Sequence, residues 1–556
     1  GGPKGTSPVG FQASGAPLLS TFTADSSRNC RSAGATEMSL ISVSREISNF
    51  SYILVLSAAM LSVNGCSLGP DFAPPSTALG DAQFAGREEY FDDSLSAEPP
   101  PRDWWWLFND NILVELEGVA SKTNLGLLVA TERIEQSRAE LGITTAQIYP
   151  VLSSSGSYSR ERLSDNGRLA ALGALPGPTD YWKLGLDSSW EIDLWGRAKR
   201  SRESAAARLE ESVHDRNSVL ISIQAEVART YLNLRGVQAQ LRIAQDNARI
   251  ARRILDIALS REKNGVSTQF ETATARSELA RVDELIPSLS QQINASINAL
   301  ALLIGQPPRT LNNLLTDALP LPALPSKIPV GIPSELAKRR SDILRAEAAL
   351  HAETALIGVA KADFYPRVSL NGRFGVEAFE SGALMGWDSR SFSIGPSIYL
   401  PLFEGGRLVN RLKLSEARQR SAALTYRKTV LEAWHEIENL FNLLGALRRR
   451  HVELVTANAA DRRALRAAQR GFERGATDYL SVLTAQRNVL ESQSRLNSSV
   501  TETNINLVNL YKSLGGGWGA DVTTEMANLA RLTHFDTEDY EVRDVKTGQA
   551  NRSPTK

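Results

Sequence analysis

Cysteine is almost missing. The 556 residues hold two, Cys30 and Cys66, and neither sits in a metal-ligand spacing. If the chain is processed between them, no disulfide framework is left. Methionine is scarce as well, at 4 residues, which argues against a conduit built from soft copper(I) ligands. The five histidines, His214, His351, His435, His451 and His534, are scattered. H-E-I-E at 435–438 lacks the second histidine of a zinc helix, so these side chains read as solvated helix faces. An excess of either charge is lacking too: Lys+Arg and Asp+Glu both number 62, for a formal net charge of +0. A nucleic-acid partner would need a clustered basic excess, and none is expected here. No Ser/His/Asp order stands out. G-G-G-W at 515–518 has no Lys-Ser/Thr after it and serves as a helix terminator rather than a phosphate loop. Nothing points to an enzyme or to a cofactor.

What the chain does have, it has twice. A-Q-I-Y-P begins at Ala146 and A-D-F-Y-P at Ala362, 216 residues apart. W-G-R ends at Arg197 and G-G-R at Arg407, K-N-G-V-S-T at Thr268 and E-R-G-A-T-D at Asp478, each pair 210 apart. Three landmarks in one order at nearly constant offset define a duplicated unit of about 200 residues.

The N-terminal stretch resembles an export signal. Residues 1–37 are polar and begin without methionine, and read as upstream sequence or a disordered tail, with Met38 the expected start. An apolar run then extends from Phe50 through Val63, too short to span a bilayer and matched to a signal h-region. V-N-G-C follows, similar to the bacterial lipobox whose cysteine is lipidated, and Ser67 in place of Asp points to the outer membrane. A covalent lipid on Cys66 is therefore expected. An ordinary cleaved signal with an incidental cysteine is the alternative.

Residues 181–194 alternate strictly. Trp182, Leu184, Leu186, Trp190 and Ile192 fall on even positions; Lys183, Asp187, Glu191 and Asp193 fall on odd ones. The same two-faced pattern recurs at 367–378, with Arg367 and Arg373 on the polar side, and at 391–402. A Ser-rich fourth strand at 151–160 follows from the repeat symmetry. A half-buried sheet in a soluble domain alternates in the same way. The export signal and the pairing of charged with aromatic-rich faces favour an outer-membrane barrel instead. Four strands cannot close a barrel, so copies must combine: two give eight strands and a filled interior, three give twelve and the start of a lumen.

Between Gly196 and Asn264 there is no proline and a single glycine, Gly236. Alanine, leucine, arginine and glutamate recur at helical spacing, and the stretch from Gly406 to Arg474 repeats the character. Each is long enough for a rod of ~100 Å. K-N-G at 263–265 and E-R-G at 473–475 stop the rods, and Thr268 and Thr477 are the expected N-caps of returning helices over 269–303 and 478–514. Helices over 111–147 and 333–363 precede the first strand of each half. Trp104, Trp105 and Trp106 form an aromatic cluster that either seats the N-terminal segment on the helices or fills a local core. The expected organisation is an upstream tail and signal peptide (1–65), a lipid-anchored segment (66–110), a first repeat (111–304), a Pro-rich linker (305–332), a second repeat (333–515) and a disordered tail (516–556).

At this point the chain resembles the TolC-like outer-membrane efflux factors, in the lipoprotein NodT/OprM-like branch. The resemblance rests on C-S-L-G-P-D-F at 66–72, W-E-I-D-L-W-G-R at 190–197, the two Y-P motifs, I-P-S-E-L-A-K-R-R-S-D-I-L at 332–344, L-P-L-F-E-G-G-R at 400–407 and I-N-L-V-N-L-Y-K-S-L-G-G-G-W at 505–518, which together span roughly 66–520. It implies an α+β membrane protein, a homotrimer with a twelve-stranded outer-membrane β-barrel on a twelve-helix periplasmic α-barrel. It also implies a periplasmic adaptor and an inner-membrane RND-type pump as partners. On this reading the protein is a passive exit duct; an outer-membrane duct for type I protein secretion, a porin and a non-conducting tether are the alternatives. The resemblance places Leu480 in an apolar ring that narrows the periplasmic tip. Family members commonly carry Asp in L-D-A-Q one turn later, where this chain has L-T-A-Q with Thr484. A threonine ring lacks the like-charge repulsion of facing carboxylates. Asp478 either substitutes for that carboxylate or serves a helix N-terminus. Lys183, Asp187, Glu191, Asp193, Arg367 and Arg373 are the expected barrel-lumen residues, and their mixed signs imply weak ion selectivity.

Overall fold

The computed structural model describes residues 67–75, 95, 96, 98–162, 164, 177–322, 325, 327–330 and 339–516. Cys66, the signal segment, the start at Met38, the opening of the 333–363 helix and the tail beyond residue 516 lie outside them.

The duplicated unit is plain in the element order. The first half holds α1 (Asn111–Thr123), α2 (Leu125–Ala146), β2 (Val151–Glu161), β3 (Thr179–Ile192), α3 (Arg197–Lys263) and α4 (Gln269–Leu303). The second holds α6 (Ser341–Ala362), β5 (Arg367–Ala378), β6 (Arg390–Tyr399), α7 (Arg407–Glu473) and α8 (Tyr479–Ser513). A short α5 (Asn312–Leu315) lies between them, and β1 (Leu95–Ser96) pairs in parallel with β4 (Ile328–Pro329). Both rods, α3 and α7, have 67 residues, and both return helices have 35. At 1.5 Å per residue each rod is ~100 Å long.

The rods end by one device. The amide of Gly265 donates to Glu262 O and that of Val266 to Arg261 O; in the second copy Gly475 donates to Phe472 O and Ala476 to Gly471 O. This pairing satisfies the last carbonyls of a helix and needs a left-handed residue, met by glycine at φ 70° and 73°. Thr268 caps α4 as the sequence predicts, accepting from the Glu271 amide. Thr477 does not cap α8. Asp478 takes that place, its Oδ1 accepting from the Ser481 amide at 3.0 Å, while the Thr477 hydroxyl donates to Ala468 O. A carboxylate accepts more strongly than a hydroxyl and complements the helix dipole, so the cap shifts by one residue.

The single helix expected over 111–147 is broken at Asn124, which closes α1 and opens α2. Asn124 Oδ1 accepts from the Leu127 amide while Nδ2 donates to Leu303 O at 2.7 Å, and the Thr123 hydroxyl donates to Ile304 O at 2.7 Å. The break thus feeds donors to the carbonyl-rich end of α4. The histidine reading also needs correction. His214 on α3 is buried rather than solvated, and the His351 ring stacks on Phe72 at 4.4 Å while bonding Glu203.

One core lies across the middle of the helices. Trp104 stacks on Tyr511 at 5.6 Å, and Trp105 and Phe108 pack beside it; Trp106 points outward, at 60% exposure. These residues form a 3-10 turn, Trp104–Phe108, that the sequence pattern does not announce. Glu117 of α1 is fully buried in this region and neither carboxyl oxygen has a hydrogen-bond partner among the described residues. Desolvation pushes its carboxyl well above the ordinary value. Folded chains therefore keep a proton that unfolded chains release above about pH 4.5. Stability falls as pH rises from that value toward the raised folded one. Glu117→Gln should remove this slope and stabilise the protein at pH 8 by roughly 1–3 kcal/mol. Thermal unfolding of both forms between pH 5 and pH 8 tests it; parallel curves would sink the prediction.

Candidate functional site

The four long strands form one antiparallel sheet in the order β2-β3-β5-β6, so the central pair joins the two repeats. The register sets even residues opposite even ones on every strand: Tyr158 faces Trp182, Leu186 faces Phe374, and Phe374 faces Phe392. One face is therefore largely apolar, interrupted by Ser154 and Ser188 and charged at one end by Arg160, Asp180 and Arg390. It is bare in the single chain, with Phe392, Ile394 and Ile398 between 72% and 79% exposed. The odd residues build a polar face laced by cross-strand bonds. Lys183 lies 4.0 Å from Glu377, which also accepts from the Tyr181 hydroxyl at 2.8 Å. Arg373 lies 3.7 Å from Asp187, and Asp187 accepts from Ser155 at 2.7 Å.

Of the six expected lumen residues, Lys183, Asp187, Glu191, Arg367 and Arg373 occupy the polar face. Asp193 does not. The strand ends at Ile192, and Asp193 accepts from the Lys199 amide at 2.8 Å in the first turn of α3. An acidic side chain meets the free amides of a helix start more strongly than it continues a strand.

Where the sheet meets the helices, Asp363 gathers three arginines. Arg367 Nη2 donates to its Oδ1 at 2.7 Å and Arg197 Nε at 3.2 Å, while Arg411 Nη1 lies 3.0 Å from Oδ2. These come from the start of β5, the start of α3 and the first turns of α7. The Asp363 side chain is wholly buried. Trp195 Nε1 donates to Pro366 O at 2.7 Å and its ring packs on Tyr365 at 4.8 Å. Three of the four crossings between sheet and helices are tied at one carboxylate, and the tie crosses from one repeat to the other. The N-terminal segment lands here as well, with the Leu68 amide donating to Trp195 O and Arg200 bonding both Leu68 O and Asp71.

At the far end, Leu480 is 61% exposed and Thr484 shares its side of α8, one turn on. Asp478 is engaged as the α8 cap, and its bonds from Ser481 hold its carboxyl below the ordinary range. Arg487 continues the Leu480 stripe, and its Nε and Nη2 donate to Glu278 Oε2 at 3.0 and 2.7 Å. Glu278 belongs to α4, is buried, and so links the return helices of the two repeats. Burial pushes the neighbouring Tyr479 phenol up to about 12, and the Glu278 charge adds to the effect. Sequence reasoning missed this pair. Its members lie 209 residues apart and neither belongs to a motif.

A two-faced sheet continuous with ~100 Å helical rods defines a membrane channel subunit with a helical extension. Residues 118–306 and 332–516 match the family model of the outer membrane efflux protein. The pyoverdine export outer membrane protein OpmQ of Pseudomonas putida is 33% identical over 478 residues, covering 85% of this chain and 98% of that protein. Outer membrane protein OprJ of Pseudomonas aeruginosa is 31% identical over 471 residues, covering 82% and 94%. The solved outer-membrane channel OprN superposes with a TM-score of 0.74 at 32% identity, covering 82% of this chain and all of that one. The chain belongs to the outer membrane efflux protein family. It is an outer-membrane channel component of an efflux pump.

Proposed function

We propose that three copies of this chain close a twelve-stranded barrel in the outer membrane over a twelve-helix periplasmic tunnel. Small molecules such as drugs leave through it, delivered by an inner-membrane RND-type transporter through a periplasmic adaptor. The observation that carries this reading is the four-stranded sheet, apolar on one face and ion-paired on the other, with β2 and β6 as its edges. In lipid an open edge leaves backbone groups unsatisfied, so copies must meet edge to edge. Rods of ~100 Å make sense only where something must be reached across the periplasm. A lipid on Cys66 anchors the assembly, and Leu68, two residues on, is bonded to Trp195 and Arg200 at the sheet–helix junction.

Deleting the gene should raise cellular accumulation of a fluorescent pump substrate. Lower accumulation in the deletion strain would replace this reading with an inward pore. At the tip, Leu480 closes the duct with Thr484 behind it, and the Arg487–Glu278 bond holds the helices together. Leu480→Ser should raise single-channel conductance in planar bilayers several-fold, since a ring of small polar side chains no longer excludes water. An unchanged conductance would remove Leu480 from the gate.

A further inference from the structure

The apolar side of the sheet differs between its two ends. Next to the helices it carries Leu152, Trp190, Ile192, Val368 and Ile398, and no charge. At the opposite end it carries Arg160 on β2, Asp180 on β3 and Arg390 at the first position of β6. An ionised side chain on a lipid-facing strand is costly at the bilayer midplane and cheap only near its surface. These charges therefore mark the level at which hydrocarbon gives way to headgroups, at the end away from the helices alone.

Aromatic rings mark the same level. Tyr158 and Trp182 pack with ring centroids 4.3 Å apart, and the Tyr158 hydroxyl donates to Asp180 Oδ1 at 2.9 Å. Arg160 Nη1 lies 3.7 Å from the same oxygen. On β6 the Arg390 guanidinium lies over the exposed Trp387 ring, and its Nε donates to Trp387 O. One carboxylate on this face thus stands against two guanidiniums, and Arg390 pairs with no acid among the described residues.

Arg160 and Arg390 sit on the two edge strands, β2 and β6. In the ring proposed above, on which this inference rests, β2 of one copy lies beside β6 of the next and runs the opposite way. Arg160 is near the outer end of the one and Arg390 opens the other, both on the same face. Each seam then brings two guanidiniums from different copies to the headgroup level, flanked by Tyr158 and Trp387.

We propose that the outer end of each seam binds a phosphate of the glycolipid in the outer leaflet. Planar guanidiniums meet phosphate through paired hydrogen bonds, and Arg390 has Nε engaged by Trp387 and its two terminal nitrogens left to do so. The acyl chains lie along Trp182, Phe392 and Ile394, on the same face. Basic groups at a membrane surface recognise anionic headgroups in this way. A leaflet rich in phosphate on one side of the membrane calls for cations at one end of the sheet, which is where they stand.

The full-length protein in nonionic detergent is mixed with diphosphoryl lipid A, and the complexes are weighed by native mass spectrometry. Particles of three copies should retain lipid A saturably, one per seam, and should not retain lipid A stripped of both phosphates. Arg160→Gln combined with Arg390→Gln should lower the apparent affinity by about tenfold or more, the size of a lost charge-assisted bond, with the three-copy mass unchanged. Each single variant should fall between. Equal retention of the dephosphorylated lipid, or retention unchanged in the double variant, overturns the site. Displacement by inorganic phosphate at the concentration of the lipid would reveal a bare anion site, and the lipid would fall. Three-copy particles that hold no lipid A overturn the site and leave the ring standing, whereas single copies overturn both.

Discussion

Asp363→Ala should abolish accumulation of the folded channel in the outer membrane, with loss of heat-stable assembly on gels as the readout. The carboxylate is wholly buried and faces Arg197, Arg367 and Arg411. Removing it leaves Arg367 and Arg411 without a counter-charge and Arg197 with Glu191 alone, at 3.7 Å, and breaking a buried pair from one side costs about 3–5 kcal/mol. The arginines are a third to a half exposed, so water recovers part of that. What water does not restore is geometry. The starts of α3, β5 and α7 lose the group that sets their spacing just where the sheet begins. Asp363→Asn keeps one acceptor oxygen and should give an intermediate loss. An Ala variant that assembles and melts like the wild type would show the node to be ornamental.

Gly236→Ala should destabilise the protein by about 1–3 kcal/mol, despite alanine being the better helix former. A Cβ built on Gly236 would lie 2.4 Å from Thr501 Oγ1, 2.8 Å from Cγ2 and 3.2 Å from Cβ. A branched side chain held within α8 has no rotamer that clears all three contacts. Here α3 and α8, from opposite repeats, approach closely enough for Asn497 Nδ2 to donate to Gly236 O at 2.9 Å and for Gln240 to donate to Ser494 at 2.6 Å. Thr501→Gly should rescue Gly236→Ala, and the coupling should appear as a favourable term in a double-mutant cycle by thermal unfolding. Additive losses would place the strain elsewhere.

Much of the fold was legible because its signals are periodic. Residues 181–194 and 367–378 alternate at period two, and the register confirms that their even positions share a face. The rods were legible because glycine and proline are nearly absent from them, and glycine punctuates their ends. The misses share a different cause. Asn124 breaks a helix because the end of α4 offers it carbonyls, and that depends on packing between segments 179 residues apart. Asp193 was drawn toward a helix start, where a carboxylate has a local competing use, and for the same reason Asp478 took from Thr477 the cap of α8. The Asp363 node and the Arg487–Glu278 pair join one repeat to the other. A single sequence shows each half beside its copy and gives no sign of where the halves touch.

The strand order has a consequence for how this protein fails. Each chain gives the sheet two outer edges, β2 and β6, and neither edge finds a partner among the described residues of its own chain. In the ring of three copies proposed above, every seam has to be sound. A subunit with a damaged β2 edge spoils its neighbour's β6 along with itself, and intact copies cannot bypass it. Defects at those two strands should behave as dominant when mixed with normal subunits, whereas a defect confined to the tip helices leaves the ring closed and alters only passage.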